Sequence, residues 1–106
     1  MLNELKEAVK KRAEEWGTTI TDGSYRGNEL AGEAGEVCNE IKKLERTRLG
    51  LVGGKTDTSD LEDELGDLLV CATLVAVHYD LDLEKCAISK FNKTSKKHGF
   101  KTKIEV

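Results

Sequence analysis

The sequence of 106 residues contains no proline and few aromatic residues: one tryptophan, two tyrosines and two phenylalanines. Low contents of aromatic and β-branched residues favour helices over strands. There is also no apolar run long enough for a membrane span or for the core of a secretory signal. The length suits one domain, residues 1–106, and is too short for two. We therefore expect a single helical domain that is cytoplasmic and has no membrane partner.

The cysteine and histidine patterns of common metal sites are missing as well. Three cysteines occur without a Cys-x-x-Cys pair, and neither histidine forms the Glu-x-x-His motif of di-iron bundles. An odd number of thiols suggests free cysteines in a reducing compartment. The net charge of −3 argues against a nucleic-acid polymer as partner. It does not exclude a small nucleotide, because a bound divalent cation reverses the local charge.

Two matched acidic stretches, residues 30–37 and 61–68, dominate what the sequence does contain. Each follows the pattern Leu-x-x-Glu-x-Gly-(Glu/Asp)-apolar. Positions three apart share a face of a helix, so each stretch projects two carboxylates beside its apolar stripe. Four such carboxylates repel one another unless a cation lies between them. An all-oxygen ligand set favours Mg²⁺, with Mn²⁺ as a possible substitute. The predicted ligands are Glu33, Glu36, Glu64 and Asp67.

Hydrophobic spacing predicts four helices, at about residues 2–16, 28–48, 59–79 and 83–98. Gly17 and Gly99 are natural stops for the first and last. Residues 18–27 are predicted as a loop, which either closes over a site or simply connects two helices. Ser59 and Glu62 have the spacing of a capping box. The predicted fold class is all-α, a four-helix bundle-like domain.

The internal glycines of the second and third helices need an explanation. Each costs about 1 kcal/mol relative to alanine in a helix interior. Close approach of another backbone is the predicted reason for Gly32, Gly35 and Gly66. The glycine-rich link at residues 49–59 is predicted to be a flexible connection. The alternative is a phosphate-cradling loop, although the sequence has no Walker pattern. No role is predicted for Lys55 within the link.

Mg²⁺ held by few protein groups keeps water ligands and often recruits phosphate oxygens, which indicates phosphoryl chemistry. Lys43, on the same flank as the acids of its helix, is the first candidate for a phosphate contact. A basic stretch at residues 90–97 forms a second cationic wall if the fourth helix packs across the site, although it also suits the helix dipole. Trp16 is either a core anchor or a stacking surface for a base.

With these motifs, residues 28–98 resemble the MazG-type all-α nucleoside triphosphate pyrophosphohydrolases, in a compact single-domain form. The resemblance rests on Glu33-x-x-Glu36, on Glu64-x-x-Asp67 and, more weakly, on the basic stretch that ends at Gly99. It implies Mg²⁺-dependent hydrolysis of (deoxy)nucleoside triphosphates to monophosphate and pyrophosphate, by water attack on the α-phosphorus. It also implies the removal of unwanted nucleotides from the cellular pool.

The same resemblance implies roles for particular residues. The four acids become Mg²⁺ ligands, and one of them or a neighbour such as Glu40 orients the water. Trp16 becomes the contact to the base, and further substrate contacts are Asn92, Lys93 and Lys96. The implied assembly is a homo-oligomer whose sites are completed across subunits, with a tetramer, as a dimer of dimers, favoured over a dimer.

Two alternative functions stay open at this point. Within the same superfamily, the substrate could be phosphoribosyl-ATP. From a different class, the chain could be a metal-stabilised helical interaction module without turnover.

Overall fold

The computed structural model describes residues 1–17 and 22–105 and contains four helices there, with no strand in those ranges. They are α1 (Leu2–Glu15), α2 (Gly23–Arg48), α3 (Ser59–His78) and α4 (Leu83–Lys97). The predicted all-α fold class is thereby confirmed. The predicted loop at residues 18–21 lies outside the described part of the chain. No helix within that part is both long and apolar enough to cross a membrane.

Helix α2 begins five residues earlier than predicted, because Asp22 caps it. The Asp22 carboxylate accepts hydrogen bonds from the Ser24 amide at 2.9 Å and from the Ser24 hydroxyl at 2.8 Å. Accepting these bonds lowers the pKa of Asp22. The loop prediction is therefore wrong from Gly23 onward. The Asp, Gly and Ser content of this segment predicts a loop, whereas in the structure these residues form an N-terminal cap.

The other predicted helix ends are mostly correct. Gly17 and Gly99 follow α1 and α4 with φ near +70°, a conformation that glycine adopts without strain. Asp82 caps α4 by accepting from the Lys85 amide at 3.0 Å. At α3 the start is right but the predicted capping box does not form. Asp57 instead accepts from the Ser59 amide and hydroxyl, at 3.0 and 2.9 Å.

Helices α2 and α3 form an antiparallel hairpin, α1 packs on α3, and α4 lies mainly against α1. The buried apolar side chains are Val9, Val37, Cys71 and Ala76. The deepest side chain is that of Thr73, at 1% exposure, whose hydroxyl donates to the Leu69 carbonyl at 2.8 Å. This hydrogen bond satisfies the polar group inside the core.

The core of one chain is thin. Four large apolar side chains of the helices are between 37% and 49% exposed: Ile41, Leu65, Leu69 and Phe91. The radius of gyration is 17.1 Å, against about 13 Å for a compact domain of this length. Within one chain these side chains are therefore not buried, because no helix in the described ranges covers their face.

The predicted reason for the helix glycines is also wrong within one chain. A Cβ atom added at Gly32, Gly35 or Gly66 would meet no atom within 4 Å outside its own helix, among the residues described. The surface beside both acidic stretches is thus open and made of small residues.

Candidate functional site

The two acidic stretches converge across the α2–α3 hairpin. Glu33 from α2 and Glu64 and Asp67 from α3 each offer one carboxylate oxygen, and these three oxygens all lie within 4.8 Å of one another. The antiparallel packing explains this convergence, because the residue number increases along α2 in the direction in which it decreases along α3. The structure therefore brings the predicted ligand residues of both helices to one place.

The fourth acid, Glu36, acts on the same group. Its carboxylate beside Glu64 raises the pKa of Glu64 to about 7, together with partial burial of Glu64 and the charge of Glu33. A pKa raised in this way means that neighbouring carboxylates and partial burial oppose the negative charge of Glu64. We refer to Glu33, Glu36, Glu64 and Asp67 together as the acid cluster.

Two atoms of the acid cluster are buried without a partner. Oε2 of Glu33 and Oε2 of Glu64 find no hydrogen-bond donor in the part of the chain that the structure describes. Buried carboxylate oxygens are normally paired or bound to a metal. The candidate ligand atoms are all carboxylate oxygens. Neither histidine is among them: His78 packs edge-on to Tyr79, and His98 stacks on Phe100. These carboxylates fit a hard divalent cation such as Mg²⁺ or Mn²⁺.

One helical turn away, the same two helices carry a second pair of acids with a different environment. Lys55 Nζ lies 2.9 Å from Glu40 Oε2 and also contacts Asp60 Oδ2, and Lys43 Nζ lies 3.3 Å from Glu40 Oε1. We call Glu40 and Asp60 the lysine-bridged pair. These lysines lower the pKa of Glu40. The hydrogen bond from Lys55 is the main cause, and Lys43 adds to it.

This arrangement bears on two sequence-based predictions. Both oxygens of Glu40 are engaged by lysines, and a lowered pKa makes its carboxylate a weaker base for orienting a water molecule. Lys43, the predicted phosphate contact, is 30% exposed and held by Glu40. Lys43 therefore lies on the acidic flank, as predicted, but beside Glu40, one helical turn away from the acid cluster.

A cleft of about 330 Å³ opens between the end of α1, the first turns of α2, and α3. The Trp16 ring at its edge is 71% exposed, so the core-anchor alternative is wrong. The Arg12 guanidinium lies 5.3 Å from the Trp16 ring centroid, and the Arg26 guanidinium lies 5.7 Å from that of Tyr25. Aromatic faces with cationic neighbours are suitable for stacking a nucleotide base. The lining comprises Val9, Arg12, Ala13, Trp16, Tyr25, Arg26, Glu29 and Leu74.

The cleft adjoins the acid cluster. Glu29, which lines the cleft, lies one helical turn before Glu33 on α2 and is paired to Arg26 at 2.8 Å. Cys71 lies close to both regions: burial raises the pKa of its thiol, and the charges of Glu29 and Glu33 raise it further. A molecule bound in the cleft therefore lies next to the carboxylates.

The predicted substrate residues on α4 are not brought to the acid cluster within one chain. Asn92 uses both ends of its amide on the backbone of Ile104, donating at 2.9 Å and accepting at 2.8 Å. Lys93 and Lys96 are exposed on a helix that packs mainly against α1. The condition for a cationic wall, that α4 crosses the site, is not met in the single chain.

Sequence reasoning missed Tyr25 and Arg26, because their segment was predicted as loop. The Asp22-x-Ser24 cap was the signal that extends the helix through them. It also missed the contact of Lys55 with both helices. The sequence shows only a lysine in a glycine-rich link, five residues before Asp60.

Comparisons with known proteins identify the family of the segment that contains both acidic stretches. The family model of the MazG nucleotide pyrophosphohydrolase domain matches residues 25–100. The Gene 37 protein of Mycobacterium phage L5 is 34% identical over 70 residues, which cover 66% of this chain. The chain spans about 60% of the length of that relative. No solved structure matches. The match includes both acidic stretches and the helices that bring them together, and on that basis the chain belongs to the MazG nucleotide pyrophosphohydrolase domain family.

Proposed function

We propose that this protein hydrolyses (deoxy)nucleoside triphosphates to the monophosphate and pyrophosphate, with Mg²⁺ as the bound cation, and so removes unwanted nucleotides. The observation that carries the proposal is an acid cluster with two buried carboxylate oxygens that no donor of the described residues contacts, next to a cleft lined by two aromatic rings and two arginines. Such a pairing suits a substrate with a flat base at one end and several phosphate charges at the other.

In this proposal the acid cluster holds the cation, with Mn²⁺ able to replace Mg²⁺. When bound, the cation supplies positive charge that offsets the charge of the triphosphate oxygens. Glu33 and Glu64, with their buried unpartnered oxygens, are the inner ligands, and Glu36 and Asp67 complete the set at its exposed side.

The remaining residues orient the substrate and handle the proton. Trp16 and Tyr25 stack on the base, which fixes the triphosphate toward the acid cluster. The oxygen of a water molecule forms a bond to the α-phosphorus, and the bond from that phosphorus to the bridging oxygen breaks. Pyrophosphate leaves with the electron pair, and a carboxylate of the acid cluster takes the proton from the water.

The proposed assembly is a homo-oligomer, with a tetramer favoured over a dimer. Support comes from the exposed faces of Leu65 and Leu69 and from the open glycine surface beside them. Charge separation gives a second argument: α4 and the residues after it carry seven lysines and two glutamates, although the whole chain has a net charge of −3. In an oligomer, the Asn92, Lys93 and Lys96 face of one copy can reach the acid cluster of another.

The test is hydrolysis in H₂¹⁸O with a panel of nucleoside triphosphates and Mg²⁺, followed by mass spectrometry of the products. We expect monophosphate and pyrophosphate, with the label in the monophosphate. Label in pyrophosphate would mean attack at the β-phosphorus and would contradict the proposal. Glu36→Gln should abolish turnover at saturating Mg²⁺, whereas the matched control Glu62→Gln, an exposed acid of α3, should retain it.

The two alternative functions are outcomes of the same panel. Turnover of phosphoribosyl-ATP alone, when this compound is added to the panel, would assign the histidine-synthesis reaction. Thermal stabilisation by Mg²⁺ without pyrophosphate release from any nucleotide would assign a metal-stabilised interaction module.

A further inference from the structure

The link between α2 and α3 is fastened along the last turns of α2, contrary to the flexible connection predicted from its glycines. The Leu51 amide donates to the Arg46 carbonyl at 2.8 Å, and the Lys55 amide donates to the Lys43 carbonyl at 3.1 Å. The Thr47 hydroxyl donates to the Lys55 carbonyl at 2.6 Å. Gly54 lies so close to Thr47 that any side chain there would overlap it.

These contacts fix the backbone of Lys55, and its side chain then spans the two helices. Nζ contacts Glu40 of α2 and Asp60 of α3 at once, while 32% of the side chain remains exposed. Glu40 itself is 12% exposed. Asp60, at the other end, is 59% exposed. The fixed backbone of Lys55 and the partly buried Glu40 carboxylate hold the cation in place, so that it ties α2 to the first turn of α3.

The bridge lies next to the acid cluster in register. Glu40 follows Glu36 by one helical turn, and Asp60 precedes Glu64 by one turn. The spacing that Lys55 imposes on the lysine-bridged pair is therefore transmitted along both helices to the ligands. Small errors in ligand spacing matter, since Mg²⁺ demands near-ideal octahedral geometry.

We propose that Lys55 is a positioning residue, which braces α2 against α3 at the separation that the acid cluster needs to bind a divalent cation. The proposal rests on the metal site of the proposed function, but not on nucleotide hydrolysis. It goes beyond charge neutralisation, because Lys55 touches none of the four proposed ligands.

The direction of one change separates bracing from electrostatics. Lys55→Met removes a positive charge near a cation site, which by itself should tighten cation binding. Loss of the brace should weaken it instead. We expect about tenfold weaker Mn²⁺ binding, at the low end for groups that orient metal ligands. The measurement is a titration of the metal-free protein with Mn²⁺, followed by electron paramagnetic resonance.

Two variants serve as controls. Lys55→Arg keeps a cation that can reach both acids, and should restore binding to within about threefold of wild type. Lys42→Met removes the same charge from the exposed surface of α2 nearby, and should leave Mn²⁺ affinity unchanged or slightly tighter. Thermal melts without metal verify that each variant is folded.

A charge-neutral variant keeps the proposal testable if Lys55→Met does not fold. Thr47→Val removes the hydroxyl that holds the Lys55 carbonyl and alters no charge. Loss of one such hydrogen bond should weaken Mn²⁺ binding by about threefold. Unchanged or tighter binding in folded Lys55→Met, or unchanged binding in Thr47→Val, would overturn the role of Lys55. A wild-type protein that binds no Mn²⁺ would instead refute the metal site of the proposed function.

Discussion

Helices α2 and α3 carry acids at two adjacent levels, and the two levels are treated differently. At the lysine-bridged pair, lysines contact both acids and the pKa of Glu40 is lowered. At the acid cluster, one turn away, no ion pair in the described ranges reaches the carboxylates, and the pKa of Glu64 is raised to about 7. Along these two helices, lysines therefore neutralise the acids at one level, whereas the acids at the next level have no cationic partner among the described residues.

The difference teaches what to look for in an acidic helix pair. Acids on a helical flank that pair with lysines of the same chain form ordinary surface ion pairs. Such pairs contribute little to stability and do not indicate a binding site. Acids on a helical flank point to a cation when buried oxygens stay unpartnered and a pKa moves upward. Both signs occur at the acid cluster and neither occurs at the lysine-bridged pair.

The largest expected effect comes from giving the acid cluster a lysine of its own. Glu36→Lys should reduce pyrophosphate release at least about 100-fold, because the internal cation competes with Mg²⁺ for the carboxylates. The same variant should melt at a higher temperature than wild type without metal, since it relieves repulsion. Glu62→Lys is the matched control and should change neither quantity substantially. Wild-type turnover in Glu36→Lys would contradict the comparison.

A smaller effect is expected at the cleft. Trp16→Ala should raise KM about tenfold with little change in kcat, because stacking on one base contributes about 1–3 kcal/mol. Trp16→Phe should recover most of the loss, and Phe100→Ala, an exposed aromatic beyond α4, should have no effect. Steady-state kinetics with the best substrate of the panel check this. A fall in kcat with an unchanged KM would place Trp16 outside the base contact.

The pH dependence of stability should also distinguish the two levels. The carboxyl of Glu64 titrates near 4.5 in the unfolded chain and near 7 in the folded one. Between these values the folded protein binds more protons than the unfolded protein, so stability falls as pH rises and levels off above about 7.

Thermal melts of metal-free protein between pH 4.5 and 8 measure this trend. The decline should be weaker in Glu64→Gln, and saturating Mg²⁺ should suppress it in wild type because the cation binds the deprotonated form. A metal-free stability that rises with pH across this range, equally in both proteins, would show that the acids are already balanced.

Glycine substitution is expected to have the smallest effect. Gly32 adjoins the acid cluster and has open space where a Cβ would lie, so Gly32→Ala should stabilise the dilute chain by about 0.5–1 kcal/mol. Gly54→Ala at the link should destabilise it, because the added carbon overlaps Thr47. Urea unfolding at low protein concentration checks both. Destabilisation by Gly32→Ala would mean that a second copy packs on this surface.

Periodic residues made most of the fold predictable. The positions of the four helices and the convergence of the acid cluster follow from apolar spacing and from the matched acidic motifs. What failed depended on a local cap that resembles a loop in composition, and on contacts between distant segments. Asp22 turned a loop-like composition into helix, and the link placed Lys55 between two helices through hydrogen bonds that no local pattern reveals. The exposure of Leu65 and Leu69 could not be predicted either. An apolar stripe on a helix indicates that it packs against another apolar surface, but not which chain provides that surface.

The central claim is that the cation binds at the acid cluster and not at the lysine-bridged pair. The most direct test is Mn²⁺ titration of metal-free Glu64→Gln and Glu40→Gln, side by side with wild type. We expect Glu64→Gln to bind at least about 100-fold more weakly, and Glu40→Gln to stay within about tenfold of wild type. Equal losses in the two variants, or wild-type affinity in Glu64→Gln, would contradict the claim.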